Sequence, residues 1–243
     1  MINVVINGYK GKMGSEAVKA VSAAEDMQVS GQCDVGDNVA SIIKAVHADV
    51  VVDLTNPSSV RSNAESILRA GAHAVVGTTG LSDQDLEALN QIALTENRAI
   101  IVCPNFAIGA VLMMKLAAEA AKYLHQVEII EFHHDKKADA PSGTALKTAD
   151  MIAAANPEIN ATERDEKELI PGSRGARRRR IPIHAIRLPG IVANQEVIFG
   201  GLGQTLSIRH DTHSRECFMP GILLCIRKIR DHKGLIYGLE HLL

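Results

Sequence analysis

Short β-branched runs alternate with longer amphipathic stretches through the first hundred residues. INVVI (Ile2 to Ile6), MQVSGQC (Met27 to Cys33), DVVVDLT (Asp49 to Thr55), AVVGT (Ala74 to Thr78) and AIIVCP (Ala99 to Pro104) read as buried strands. Between them Gly14 to Ala24, Val39 to Val46, Ser59 to Ala70 and Ser82 to Glu96 repeat apolar positions at helical spacing, and Ser82-x-x-Asp85 supplies a capping signal. Strict alternation of strand and helix predicts a parallel sheet covered on both faces.

After Pro104 the rhythm changes. A long amphipathic helix is predicted over Gly109 to Leu124, then the strand VEIIEFHH, a helix from Thr144 to Ala155, and a polar segment from Asn156 to Arg180 with little apolar periodicity. IPIHAIRL, QEVIFG and QTLSIRHDT then read as antiparallel strands joined by glycine-containing turns. This is a second domain of different architecture. A last helix, Met219 to Ile229, lies beyond those strands and is expected to pack back on the first domain. No internal repeat interrupts the order.

Composition narrows the class. The 243 residues are 46% apolar and 22% charged, which excludes a disordered tail or a fibre, and a net charge of -2 gives no general attraction to nucleic acid or anionic membrane. Met1 runs straight into INVVING without a basic leader or long apolar run, so the cytosol is the expected compartment. Cys33, Cys103, Cys217 and Cys225 are scattered and read as reduced thiols. The run Arg177 to Arg180 has no aromatic partners and follows an acidic run (Glu163, Asp165, Glu166, Glu168), so it reads as a solvated or subunit-contacting loop rather than a nucleic-acid patch.

The first candidate chemistry is GYKGKMG, which follows the first strand and puts Gly8, Gly11 and Gly14 at a strand-to-helix turn. Glycines there let backbone approach a diphosphate while the helix start offers free amides. The G-x-x-G-x-x-G spacing departs from the usual fingerprint, and a tight structural turn would use the same residues. Asp34, at the end of the second strand, stands where a carboxylate accepts hydrogen bonds from an adenosine ribose. That acid favours NADH, while Lys10 and Lys12 are able to pair with the extra phosphate of NADPH, so both cofactors stay open. Further strand-end turns are Thr55-Asn56-Pro57, Gly77-Thr78-Thr79-Gly80 and Pro104-Asn105-Phe106.

The second is EFHHDKKADAPSGTA, from Glu131 to Ala145. Strand alternation puts Val127, Ile129, Glu131 and His133 on one face and turns His134 to the other, so the two histidines cannot do the same job. Lys137 is able to curl back from a turn toward His133, and both are proton donors. Ser142-Gly143-Thr144 opens a helix whose first amides suit a carboxylate, which implies an acidic substrate. Taken singly, strand-end histidines, solvated lysines and a helix-capping serine are ordinary; their convergence within one turn is what points to a site. No metal is expected, since adjacent histidines suit one ion poorly and His210-x-x-His213 lacks a third ligand.

At these residues the sequence resembles the 4-hydroxy-tetrahydrodipicolinate reductase (dihydrodipicolinate reductase) family of lysine and diaminopimelate biosynthesis, over nearly the whole chain. GYKGKMG, GTTG from Gly77, PNF from Pro104, E-x-HHxxKxDAPSGTA from Glu131, IHAIRLPG from Ile183, QEVIFGGLGQTLSIRHD from Gln195 and FMPG from Phe218 carry the likeness. The resemblance implies an α/β protein with a Rossmann-like parallel-sheet domain (residues 1–106 and 215–243) and an α+β substrate and oligomerisation domain with a mainly antiparallel sheet (107–214). It further implies a cytoplasmic homotetramer using NADH, NADPH or both. His133 would be the proton donor and Lys137 its partner, with His134, Gly143 and Thr144 on the dicarboxylate. Gly8, Tyr9, Lys10, Gly11, Lys12, Met13, Asp34, Gly77, Thr78, Thr79, Cys103, Pro104, Asn105 and Phe106 would hold the cofactor. Ala107, Asn194 and the Arg177 to Arg180 run depart from the family's usual residues. Other readings of the same residues are a different two-domain NAD(P)-dependent dehydrogenase of a small acid, or a dinucleotide-sensing regulatory module.

Overall fold

A computed structural model describes residues 1–162 and 167–243; Glu163, Asp165 and Glu166 of the acidic run lie outside the described residues. The chain divides into two compact units, Met1–Ile108 with Arg215–Leu243, and Gly109–Ser214.

In the first unit, strands β1 (Ile2–Asn7), β2 (Met27–Cys33), β3 (Val50–Asp53), β4 (His73–Val76) and β5 (Ala99–Val102) alternate with helices α1 (Lys12–Ala23), α2 (Val39–Val46), α3 (Val60–Arg69) and α4 (Asp83–Thr95). The strands form one parallel sheet whose inner members are buried on both faces: every residue of β3 and β5 is buried. That is why the pattern there is a continuous β-branched run rather than an alternation. Ser82 and Asp85 form a complete capping box at the start of α4.

The unit is completed from the far end of the chain. Helix α7 (Met219–Lys228) packs on α1, β3 and β4, burying Met219, Ile222, Cys225 and Ile226. A sixth strand, β11 (Gly234–Tyr237), joins β5 in parallel, giving the order β11-β5-β4-β3-β1-β2. The hydrophobic pattern gives no warning of β11, because GLIY is four residues long and only its glycine is buried.

The second unit carries α5 (Ile108–Ala120, beginning one residue ahead of it), β6 (Gln126–His133), α6 (Gly143–Ala155), β7 (Ala176–Arg178), β8 (Ile181–Arg187), β9 (Ala193–Gly201) and β10 (Gln204–Thr212). Its sheet runs β10-β9-β6-β8-β7. Strands β9 and β10 are antiparallel to their neighbours, but β8 is parallel to β6, contrary to the expectation for IPIHAIRL. The chain between β6 and β8 includes α6, a crossover that returns it to the end where β6 began. The polar segment is also not all loop. Arg177 and Arg178 belong to edge strand β7, Arg179 and Arg180 turn with φ of 52° and 67°, and Arg178 binds the Asp150 carboxylate with two bonds of 2.9 Å. The inward face of β6 alternates cleanly: Val127, Ile129 and Glu131 are buried, with Ile183, Val197 and Phe199 as their buried register partners on β8 and β9.

Candidate active site

The carboxyl ends of the parallel strands hold the glycine turn. Strand β2 lies on one side of β1 and β3 on the other, so the strand order reverses at β1, the point outside which such sheets bind ligands. Gly8 follows β1 with φ 86°, and a Cβ there would lie 2.7 Å from the Leu54 carbonyl oxygen. A Cβ on Gly14 would lie 2.0 Å from the Gly8 carbonyl oxygen, so helix and turn touch backbone to backbone. Gly11 is the N-cap of α1 and brings no side chain to it, leaving the positive end of the helix at Lys12 and Met13 without a side-chain cap. A cradle that a Cβ would fill and an uncapped helix start fit a dinucleotide diphosphate.

Asp34 sits beside that turn. Its carboxylate accepts hydrogen bonds from the backbone amides of Val35 at 2.8 Å and Lys10 at 3.0 Å, and these bonds hold its carboxyl below the usual range. Lys10 in turn lies 5.5 Å over the Tyr9 ring. Gly77 has no room for a side chain, since its Cβ would meet the Phe106 ring at 2.6 Å. Phe106 and Cys103 are buried, the latter with Sγ 3.8 Å from Cys225 Sγ. Thr79 and Pro104 are exposed, and the Asn105 side chain accepts from the Ala107 amide at 2.9 Å. All fourteen residues expected to hold a cofactor are thus in the first unit, with Cys103 and Phe106 acting as packing beneath the turns.

The organiser of these turns is Asp53, which the sequence reading passed over. It is fully buried at the end of β3 and takes hydrogen bonds from Asn7 Nδ2 (2.8 Å), Asn63 Nδ2 (2.9 Å), Thr55 Oγ1 (2.8 Å), the Thr55 amide (3.3 Å) and Thr78 Oγ1 (3.1 Å). One carboxylate therefore ties together the ends of β1, β3 and β4. An acid ending a β-branched run was the available signal, because a buried carboxylate must be satisfied. Asp53→Ala would strand these donors and is expected to destabilise the first unit by about 3 kcal/mol, read by urea unfolding. Parental stability in that variant would remove Asp53 from this role.

In the second unit the register sets the geometry. Glu131 and His133 share the inward face of β6, and Arg187 on β8 is paired across from His133. Glu131 is fully buried, and one of its oxygens meets His133 Nδ1. Arg187 clamps both oxygens at 2.8 and 2.9 Å, and the Ser142 amide donates to Oε1 at 3.2 Å. Burial opposes charge on Glu131, but the hydrogen bonds and charges of His133 and Arg187 outweigh it and hold the carboxyl below the usual range.

Ser142 caps α6 by accepting from the Ala145 amide, so Gly143 and Thr144 form the first turn of the helix, at its positive end. Lys137 is half-buried and pairs with both Asp139 oxygens at 2.7 Å, while Arg187 also donates to the Asp139 carbonyl at 2.8 Å. His133, Lys137 and the Ser142 cap are therefore linked through one set of bonds centred on Glu131 and Arg187, with Gly143 and Thr144 next to that cap in sequence. His134 lies exposed just past the strand end. Glu131 and Arg187 were missed as site residues; an acid alternating with Val127 and Ile129 on a buried face was the signal for the first. Among the described residues there is no group of three or more His, Cys, Asp or Glu able to hold a metal ion.

A doubly wound sheet with a glycine cradle at its reversal point, in a chain whose second unit carries an imidazole and an ammonium group, defines the class of dinucleotide-dependent α/β oxidoreductases. The family model described as dihydrodipicolinate reductase, N-terminus, matches residues 2–106, and that described as dihydrodipicolinate reductase, C-terminus, matches residues 109–243. The chain belongs to the dihydrodipicolinate reductase family. It is 47% identical over 262 residues to a 4-hydroxy-tetrahydrodipicolinate reductase from Geobacillus thermodenitrificans, covering 100% of this chain and 99% of that one. It is 48% identical over 242 residues to one from Coxiella burnetii, with the same coverage of each. Among solved structures, the dipicolinate-bound dihydrodipicolinate reductase from Paenisporosarcina sp. TG-14 superposes with a TM-score of 0.91 at 42% identity, covering 100% of both chains. An amine dehydrogenase from Mycobacterium smegmatis shares the fold alone, with a TM-score of 0.68 at 12% identity over 98% of this chain and 95% of that one.

Proposed function

We propose that the protein reduces 4-hydroxy-tetrahydrodipicolinate to tetrahydrodipicolinate with a nicotinamide dinucleotide, in lysine and diaminopimelate biosynthesis. The observation that carries this reading is the full-length match to named reductases, with Glu131 and Arg187 bonded to His133, the Asp139 carbonyl and the Ser142 amide of HHxxKxDAPSGTA. In this reading Gly8 to Met13, Asp34, Gly77 to Thr79 and Cys103 to Phe106 hold the cofactor, which supplies hydride when bound. Gly143 and Thr144 with His134 hold one substrate carboxylate at the start of α6. The substrate ring loses its 4-hydroxyl as water, and the conjugated carbon so formed receives the hydride. His133 or Lys137 then protonates the neighbouring carbon, so the unit must orient the ring and place a proton within reach.

The reading includes a cytoplasmic homotetramer. The second unit supports self-association through its exposed leucines: Leu202 and Leu206 on the β9–β10 hairpin and Leu112 and Leu116 on α5. The test is direct. The protein is mixed with reduced dinucleotide and the freshly formed condensation product of pyruvate and aspartate semialdehyde, and absorbance of the reduced nicotinamide is followed; no decay ends the assignment.

Cofactor preference turns on Asp34. Its ionised carboxylate suits a ribose diol and repels a 2′-phosphate, whereas Lys10 and Lys12 oppose that repulsion. Asp34→Asn is expected to raise the ratio of NADPH to NADH use by roughly three- to tenfold at low salt, and less at high salt. An unchanged ratio of kcat/KM values would place the discrimination elsewhere.

A further inference from the structure

We infer that Glu131, clamped by Arg187, is a positioning residue that holds His133 through Nδ1 so that Nε2 is the atom from which the proton leaves. The inference rests on the reading of His133 as the proton donor and specifies how it is oriented and loaded.

Three observations carry it. First, Glu131 is fully buried, with each oxygen engaged: Oε1 by Arg187 Nη2 at 2.8 Å and the Ser142 amide at 3.2 Å, Oε2 by Arg187 Nη1 at 2.9 Å and by His133 Nδ1. A carboxylate gripped by a guanidinium on both oxygens is ionised and brings no proton of its own, so the hydrogen shared with His133 belongs to Nδ1. Second, a buried Glu–Arg pair is electrically complete without an imidazole. The register nonetheless sets Glu131 and His133 on one face of β6, with Arg187 across from His133. Third, the same guanidinium donates at 2.8 Å to the carbonyl of Asp139, whose carboxylate holds Lys137 Nζ at 2.7 Å. One ion pair therefore fixes the segments bearing both proton donors.

The consequence for the chemistry is specific. Neutral His133 is the Nδ1–H tautomer, the less common one for a free imidazole side chain. In the imidazolium, the hydrogen on Nδ1 stays there, bonded to the Glu131 carboxylate, while the Nε2–H bond breaks. Its electron pair remains on nitrogen and the proton passes to the substrate carbon, leaving the same neutral tautomer for solvent to reprotonate.

Two measurements test this on the full chain. In protein carrying ¹⁵N-histidine, long-range ¹H–¹⁵N correlations at alkaline pH, with His133 assigned by its loss in His133→Gln, are expected to show the Nδ1–H tautomer. An Nε2–H tautomer overturns the inference. In Glu131→Gln, kcat is expected to fall on the order of 10²-fold. KM for the dinucleotide should stay within about twofold. An unchanged kcat, or a loss confined to KM, overturns it as well. If Glu131→Gln does not fold, the wild-type tautomer decides alone. The spectrum needs no turnover, so a protein inactive on the dicarboxylate would sink the assigned reaction without touching the tautomer result.

Discussion

Replacing His133 by glutamine and Lys137 by alanine is expected to lower turnover by about 10²–10⁴-fold for each single change while dinucleotide affinity stays at the parental value. The separation follows from where the groups lie. Both side chains belong to the second unit, whereas every residue of the glycine cradle belongs to the first. The double variant is expected to lose less than the product of the two single losses, because groups that serve one proton transfer act as a unit. Single-turnover decay of reduced nicotinamide, with cofactor binding followed by its fluorescence, distinguishes the outcomes. Turnover within threefold of parental in both single variants would remove the pair from the chemistry.

Gly14→Ala should be as damaging by a wholly different route. The added methyl would lie 2.0 Å from the Gly8 carbonyl oxygen, and backbone cannot rotate aside as a flexible side chain does. Helix α1 must then shift away from the turn, at an overpacking cost of about 1–3 kcal/mol, and the helix start moves off the diphosphate position. Dinucleotide affinity is expected to fall by at least about tenfold. Gly200→Ala, whose Cβ would have nothing closer than 4.0 Å, serves as the control. Parental affinity and melting temperature in Gly14→Ala would show that the cradle does not need this contact.

Much of the first unit is legible because its strands are β-branched runs of four to seven residues between helices with clear apolar spacing. Periodicity reports whether a segment is buried, and it succeeds where burial is continuous. It is silent on β11, which adds to an edge and buries only Gly234, and on β7, where Ala176, Arg177 and Arg178 are all exposed and pairing rests on backbone alone. Nor does periodicity report strand direction, so β8 was expected antiparallel to its neighbours.

The site divides along a similar line. His133, Lys137 and the glycines are residue types whose chemistry can be named from the letter alone, and they stand close together in sequence. Asp53 and Glu131 draw their meaning from partners 10 to 56 positions away, Asn63 and Asn7 for one and Arg187 for the other. A single sequence gives no sign of those pairings beyond an acid sitting where an apolar residue is due.

Strand β11 closes the edge of the first sheet against β5 from more than a hundred residues downstream. During translation at 5–20 residues per second, the ribosome finishes β5 on the order of ten seconds before β11 emerges. The whole of Gly109–Ser214, contiguous in sequence, leaves the exit tunnel within that interval. The order of maturation is thereby the reverse of the order of synthesis: the inserted body has its complete complement of strands first, while the nucleotide-side sheet waits with β5 as an open template.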